Sequence, residues 1–266
     1  VTLHDNVIEA LGTYYEQNNL LTNKYTSVQT LSDFSNCLGG YRTITNKNDL
    51  WVGAPLVVHS RCQHKVFRIA NKIAYDNKMI YATGNKQGAE CKWIDIKGNS
   101  EDGHFVPEQA NCAKPYVVQE FINFINEVDN TKLYPSLFII TPFRSVRAGL
   151  SKYFRKVLQE ELINKGFNID KTCISKWIGN CIGTIHTFQG KEADTVILCL
   201  GVDSGGKGTG AVDWAGERPN ILNVAVTRSK LNLYIIGDSV VWNNKAYFKT
   251  AYKICNEKEQ LNLMQN

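Results

Sequence analysis

No apolar run in the sequence approaches the roughly 20 residues that a helix needs to cross a bilayer. Residues 195–200, among the longest such runs, are far too short. The amino-terminal end does not combine a basic stretch, an apolar stretch and a cleavage site, so no membrane association and a cytoplasmic location are expected. No C-x-x-C occurs, and Cys91, His104 and Cys112 are too widely spaced for the close pairs of a structural zinc site, so no metal is expected. The eight cysteines are scattered. Reduced thiols, with Cys199 and others as small core residues, fit them better than a disulfide framework. Internal repeats and low-complexity tracts are absent, and the charge leans only slightly one way. Thirty Lys and Arg against 25 Asp and Glu give a net +5, an excess too small by itself to identify a polyanionic partner.

What is present is 266 residues of 43% hydrophobic content, enough for one large domain or a domain with an appendage. The chain opens at Val1 inside a helical pattern (residues 3–17), which leads us to expect further residues upstream. Residues 1–50 carry apolar positions at helical spacing (Val7, Leu11, Tyr14; then Val28, Leu31, Phe34) and read as a helical lead-in. From Trp51 the texture changes. WVGAPLVVH reads as a strand, and the helix after it gathers Val66, Ile69, Ala70 and Ile73 on one face. MIYAT and ECKWIDIKG read as strands, and a polar loop leading to HFVPEQ makes residues 88–110 read as an inserted β-hairpin. A helix is expected after Pro115, with Val118, Phe121, Ile122 and Ile125 on its apolar face. LFIIT is a fully apolar strand ended by Pro142, followed by a helix to about Lys165 for which Ser145 is a candidate cap. GTIH, TVILCLG and LYIIGD supply three more strands. The alternation predicts an α/β fold with an open, mostly parallel sheet flanked by helices.

Ligands of such sheets bind outside the carboxyl ends of the strands, which directs attention to the polar residues at the strand ends. These are Ser60-Arg61 after PLVVH, Pro142-Phe143-Arg144 after LFIIT, the loop TFQGKEAD after GTIH, and NVAVTRSK, with Arg228, before LYIIGD. Each alone reads as a solvated loop; together they gather cations and hydrogen-bonding groups.

GTIHTFQGKEADTVIL resembles motif V of the superfamily 1 helicases, ILNVAVTRSKLNLYIIGD their motif VI, and LFIITPFRSV their motif IV. PLVVHSRCQHKVFRIANKIAY resembles the arginine-bearing segment that begins their second motor domain. The matches run in order over residues 51–238. They are most similar to the branch whose eukaryotic members act on RNA in nonsense-mediated decay. The resemblance implies a RecA-like, P-loop NTPase-type motor domain at residues 51–266, preceded at 1–50 by the tail of another motor domain or a linker. It implies that Arg61 and Arg228 reach the γ-phosphate of ATP. Gln189, Gly190 and Glu192 would line the nucleotide cleft, Glu192 accepting from ribose hydroxyls. Thr141, His186 and Thr187 would lie near the backbone of a single nucleic-acid strand, DNA being favoured over RNA. A guanidinium suits the first role, because it stabilises charge spreading over a transferring phosphoryl group. Ser60 stands where the branch often has an aromatic, which puts the adenine contact in doubt; His64 replaces a usual Pro and Ser229 a usual Ala.

The basic positions Arg144, Arg147, Lys152, Arg155 and Lys156 fit either a phosphate-facing stripe or the solvated face of an amphipathic helix. GVDSGGKG (residues 201–208) nearly spells the phosphate loop G-x-x-x-x-G-K-[ST]. It has Gly208 in place of the hydroxyl residue, and it reads as a flexible loop with no helix opening after it. No other match to that loop, and no strand ending in paired acids, occurs in the chain. ATP and Mg2+ would therefore be held mainly by a first motor domain that these residues do not include, and the chain alone would hydrolyse ATP poorly. The alternative is a non-catalytic, helicase-derived module that binds nucleic acid or protein.

Overall fold

A computed structural model describes residues 32–33, 38–44, 48–53, 57–84, 86–127, 132–205 and 208–257. The chain divides into two compact units, Val1–Val57 and Val58–Asn266. In the first, β1 (Gly39–Ile44) and β2 (Asn48–Gly53) pair antiparallel. The helical patterns expected at residues 3–17 and 28–34 lie almost entirely outside the described residues. The lead-in is not helical throughout, since its final part forms this hairpin.

The second unit begins with β3 (Val58–His59), α1 (His64–Ala74) and β4 (Ile80–Tyr81). Strands β3 and β4 form a short parallel pair of their own rather than joining the main sheet, and Val58 is 57% exposed; of the WVGAPLVVH segment expected as a strand, Trp51–Gly53 belong to β2 and Val58–His59 to β3. Then come β5 (Cys91–Asp95), α2 (Pro107–Asn126), β6 (Leu137–Thr141), α3 (Arg144–Asn164), α4 (Lys171–Cys181) and β7 (Ile182–Thr184). A 3-10 turn (Ile185–Phe188), β8 (Ala193–Cys199), α5 (Thr209–Gly216), α6 (Asn220–Val226), β9 (Ser229–Gly237), α7 (Ser239–Trp242) and α8 (Ala246–Asn256) complete it.

Five strands make one sheet in the order β5-β9-β8-β6-β7, every neighbouring pair parallel. The all-apolar runs LFIIT and TVILC supply its central strands β6 and β8, as burial on both faces requires. Leu137, Ile139, Ile140, Val196 and Ile197 are wholly buried. Helices α2, α3 and α4 pack on one another in sequence, and α1 packs on both α6 and α8. In α3 the inward residues Val146, Leu150, Phe154, Leu158 and Leu162 recur every four positions, one stripe of a 3.6-residue helix. Trp177 of α4 wedges edge-on against Phe121 and Phe154 and donates its indole N–H to the Leu137 carbonyl at 3.0 Å. The arrangement is the RecA-like α/β fold expected.

Residues 88–110 are not an inserted hairpin. Strand β5 is an edge strand of the main sheet, in register with β9 from Cys91↔Leu233 to Asp95↔Gly237. Burial decides this: Cys91 and Trp93 alternate inward, and Trp93 packs edge-on against Tyr252 of α8. The only antiparallel pairing in this segment among the described residues is a single bridge, Glu101↔Phe105. Helix α2 likewise starts at Pro107, earlier than expected, and runs through Pro115. Pro107 sits in the first turn, where a missing N–H costs nothing, and Ala110 and Ala113 ahead of Pro115 are fully buried. No described helix is long and apolar enough to cross a membrane.

Candidate nucleotide and nucleic-acid site

The segment between β7 and β8 joins two parallel strands that both flank β6. It must therefore return from the carboxyl edge of the sheet to its amino edge, a distance of roughly 20 Å at about 3.3 Å per residue. Phe188 anchors the return, buried and tilted against Phe138 of β6 with ring centroids 4.5 Å apart. Gly190 then turns the chain at φ 83°, a left-handed conformation that favours glycine. The two ends of this polar segment thus serve opposite edges of the sheet.

At the amino edge, Glu192 directly precedes β8 and Arg228 directly precedes β9, with Ala193 and Ser229 in register. Arg61 follows β3 and joins them there: its Nε donates to Glu192 Oε2 at 2.9 Å, and its Nη1 to the Thr227 carbonyl at 3.4 Å. The turn that carries Arg61 is closed by the Cys62 N–H donating to His59 Nε2 at 3.0 Å. That contact requires a neutral imidazole nitrogen. Burial, with the Arg61 charge nearby, lowers the His59 pKa in the same sense. Burial pushes the Cys62 thiol up to about 12, so it is an inert core group.

Arg228 is held differently. Its Nε donates to Val224 O at 3.0 Å, Nη1 to Lys191 O at 3.0 Å and Phe188 O at 3.4 Å, and Nη2 to Thr227 Oγ1 at 3.1 Å. Four of its five N–H groups are therefore engaged, and it ties the carboxyl end of α6 to the motif V segment. Desolvation first, and the Arg61 charge second, lower its pKa. Arg61 has two N–H groups engaged and is the freer guanidinium.

Glu192 is not free to meet a sugar, because Oε1 lies 3.2 Å from Lys230 Nζ while Oε2 holds Arg61. Gln189 and Gly190 are exposed beside it. Lys230 escaped the sequence reading although it stands in the quoted TRSK. Its place two residues after Arg228, at the entry of β9, was the available signal.

The expectation that these groups line the carboxyl ends of the strands is corrected: Arg228 and Glu192 stand at the amino edge. Parallel strands put whatever precedes them at that edge. Thr141 ends β6 beside Thr184, at the carboxyl edge. His186 and Thr187, in the 3-10 turn that follows β7, are exposed, but Thr141 is wholly buried. Its hydroxyl accepts the Phe143 N–H at 3.4 Å and so shapes the motif IV turn instead of meeting solvent. The five basic residues of α3 are all exposed. Ser145 is not that helix's cap; its Oγ accepts the His104 N–H at 3.3 Å.

The phosphate-loop look-alike lies at the carboxyl edge, and a helix, α5, does open after it, contrary to expectation, because Val212 and Ala215 are buried. Four of its amides are already engaged. The N–H of Gly201 goes to Gln109 Oε1 (2.8 Å), that of Val202 to the His104 carbonyl (2.9 Å), that of Asp203 to Ser100 Oγ (3.1 Å) and that of Gly205 to Asp203 Oδ1 (2.9 Å). A carboxylate, Asp203, sits where a phosphate cradle would need open donors.

The RecA-like sheet is that of a P-loop NTPase-type domain of the helicase-like kind. A family model described as "AAA domain" matches residues 3–240, and the chain belongs to that family. No curated protein matches the chain.

Proposed function

We propose that residues 51–266 are the carboxy-terminal motor domain of an ATP-dependent superfamily 1 helicase or translocase, of the nonsense-mediated-decay-helicase-like branch, working in the cytoplasm. In this reading a first motor domain of the same protein holds the nucleotide phosphates and Mg2+, and the amino edge described above closes on them. The observation that carries the reading is the convergence of Arg61, Arg228 and Glu192 on one edge, although they come from three separate segments. Arg61, with unengaged N–H groups, reaches the γ-phosphate. Arg228 holds the α6 end and the motif V segment in the geometry that lets Arg61 reach, and offers its remaining N–H.

His186 and Thr187, exposed at the other end of the same segment, meet the backbone of a single strand, DNA before RNA. Hydroxyl and imidazole donors hold phosphates without reading bases. Because the segment spans both edges and is pinned by Phe188, closure at the nucleotide end is felt at the strand end. A ligand shifts such an equilibrium only through contacts that differ between the two states, and the arginine contacts to a γ-phosphate are lost when it leaves.

A second reading, a helicase-derived binding module with no ATP cycle, is favoured by the internal engagement of Arg228 and of both Glu192 oxygens. The test is ATP hydrolysis by the native-length gene product with and without single-stranded DNA and RNA. Stimulation by one of them supports the motor; a folded product that binds nucleic acid without hydrolysis supports the module.

A further inference from the structure

Glu192 bridges two cations, Arg61 at 2.9 Å and Lys230 at 3.2 Å. Lys230 has a second carboxylate, Asp194, at 3.8 Å, and Asp194 in turn lies 3.8 Å from Lys132. The charges of Arg61 and Lys230 are thus neutralised within the fold, while Arg228 is committed to carbonyl oxygens. We propose, resting on the motor reading above, that Glu192 is an internal counter-ion that a polyphosphate displaces, and that Lys230 is a third phosphate-binding cation beside the two arginines.

Exposure makes the exchange feasible. The side chains of Arg61, Glu192 and Lys230 are 42%, 42% and 40% exposed. Ion pairs in that setting contribute about 0–1 kcal/mol. A terminal phosphate presents several acceptor oxygens and more than one negative charge to the same donors, and charge-assisted bonds to it are stronger than those to a single carboxylate. Both flexible cations therefore have more to gain from the phosphate than from Glu192. Arg228 and Lys230 both reach the segment that enters β8, Arg228 donating to the Lys191 carbonyl and Lys230 pairing with Glu192 next to it, which sets the ammonium near the guanidinium that anchors the site. Once displaced, Glu192 is free to accept from the sugar hydroxyls.

The experiment titrates tripolyphosphate into the full chain at low salt by calorimetry, with circular dichroism and thermal unfolding to establish that each variant is folded. Glu192→Gln is expected to bind about three- to tenfold tighter, the effect of releasing two half-exposed pairs. Lys230→Met in the Glu192→Gln background is expected to remove most of that gain, and Arg61→Ala to weaken binding in both backgrounds. Glu192→Ala replaces the glutamine variant if the latter fails to fold. Unchanged or weaker binding by Glu192→Gln overturns the proposal, as does a gain that survives Lys230→Met, which would be a uniform field effect. Binding that depends on Arg61 but shows no gain in Glu192→Gln removes the counter-ion role and leaves the motor reading standing. Absence of binding in both wild type and Glu192→Gln overturns the proposal, while the motor reading stands or falls on hydrolysis by the native-length product.

Discussion

The two edges of the central sheet are built from opposite materials. At the amino edge Arg61, Glu192, Lys230 and Asp194 make half-exposed ion pairs. At the carboxyl edge the amides of Gly201, Val202, Asp203 and Gly205 are closed internally by Gln109, His104, Ser100 and Asp203. Weak exposed pairs can exchange partners, whereas a buried bond such as that from Gly201 to Gln109 can be broken only at the cost of leaving a polar group unsatisfied. The contrast teaches that amides in the glycine-rich loop, the more conspicuous feature of the sequence, serve the fold, and it supports the proposal that the less conspicuous charged residues before β8 and β9 carry the chemistry.

Four substitutions or conditions would sharpen or break that contrast. The largest effect is expected at Arg61. In the native-length gene product, on the motor reading, Arg61→Ala should lower ATP turnover on the order of a thousandfold and leave the unfolding midpoint nearly unchanged, since its contacts are half exposed. Turnover that persists would end the distinction between the edges. Gly201→Ala should act in the reverse sense. An added Cβ would lie 2.5 Å from the His104 carbonyl oxygen and 2.5 Å from Val146 Cγ2, at φ 63°. A loss of about 2–4 kcal/mol in urea unfolding is expected, with turnover per folded molecule preserved. Arg228→Ala should do both, lowering turnover and destabilising by about 1.5–3 kcal/mol, because it strips a charged donor from Val224 and Lys191 carbonyls; stability equal to wild type would contradict its role as a tie.

The smallest effect is on pH dependence. The His59 pKa is lowered from 6.5 by burial first and by Arg61 second. The unfolded chain therefore binds the extra proton before the native one does. Stability contributed by the neutral ring is complete above about 6.5 and is lost as pH falls from there through the lowered value. His64, lowered by burial and then by Arg68, acts in the same direction. His59→Gln should flatten part of the decline in unfolding midpoint between pH 6.5 and 5, and the same slope in variant and wild type would contradict the assignment.

Much of this was legible in the residues. Apolar runs gave β6, β8 and β9, and the four-residue spacing gave α3, because burial on two faces or on one stripe leaves a direct mark on sequence. Strand β5 was misread as part of an insert, since an edge strand buried on alternate residues looks like a hairpin arm until its partner is known. The helix after Gly208 was missed because its glycines outweigh Val212 and Ala215 in local propensity, and tertiary burial overrides that preference. For the site, residue types pointed to Arg61, Arg228 and Glu192. Which edge they occupy depends on strand direction and crossover, and Thr141, a plausible donor by type, is buried by neighbouring elements that its own segment cannot reveal.

The most direct test of the central claim is ATP hydrolysis by the native-length gene product on single-stranded DNA and on RNA, in wild type and in Arg228→Ala. Turnover stimulated by nucleic acid in wild type and abolished in a folded Arg228→Ala is the predicted result. No hydrolysis by a folded wild-type product that still binds nucleic acid would contradict it.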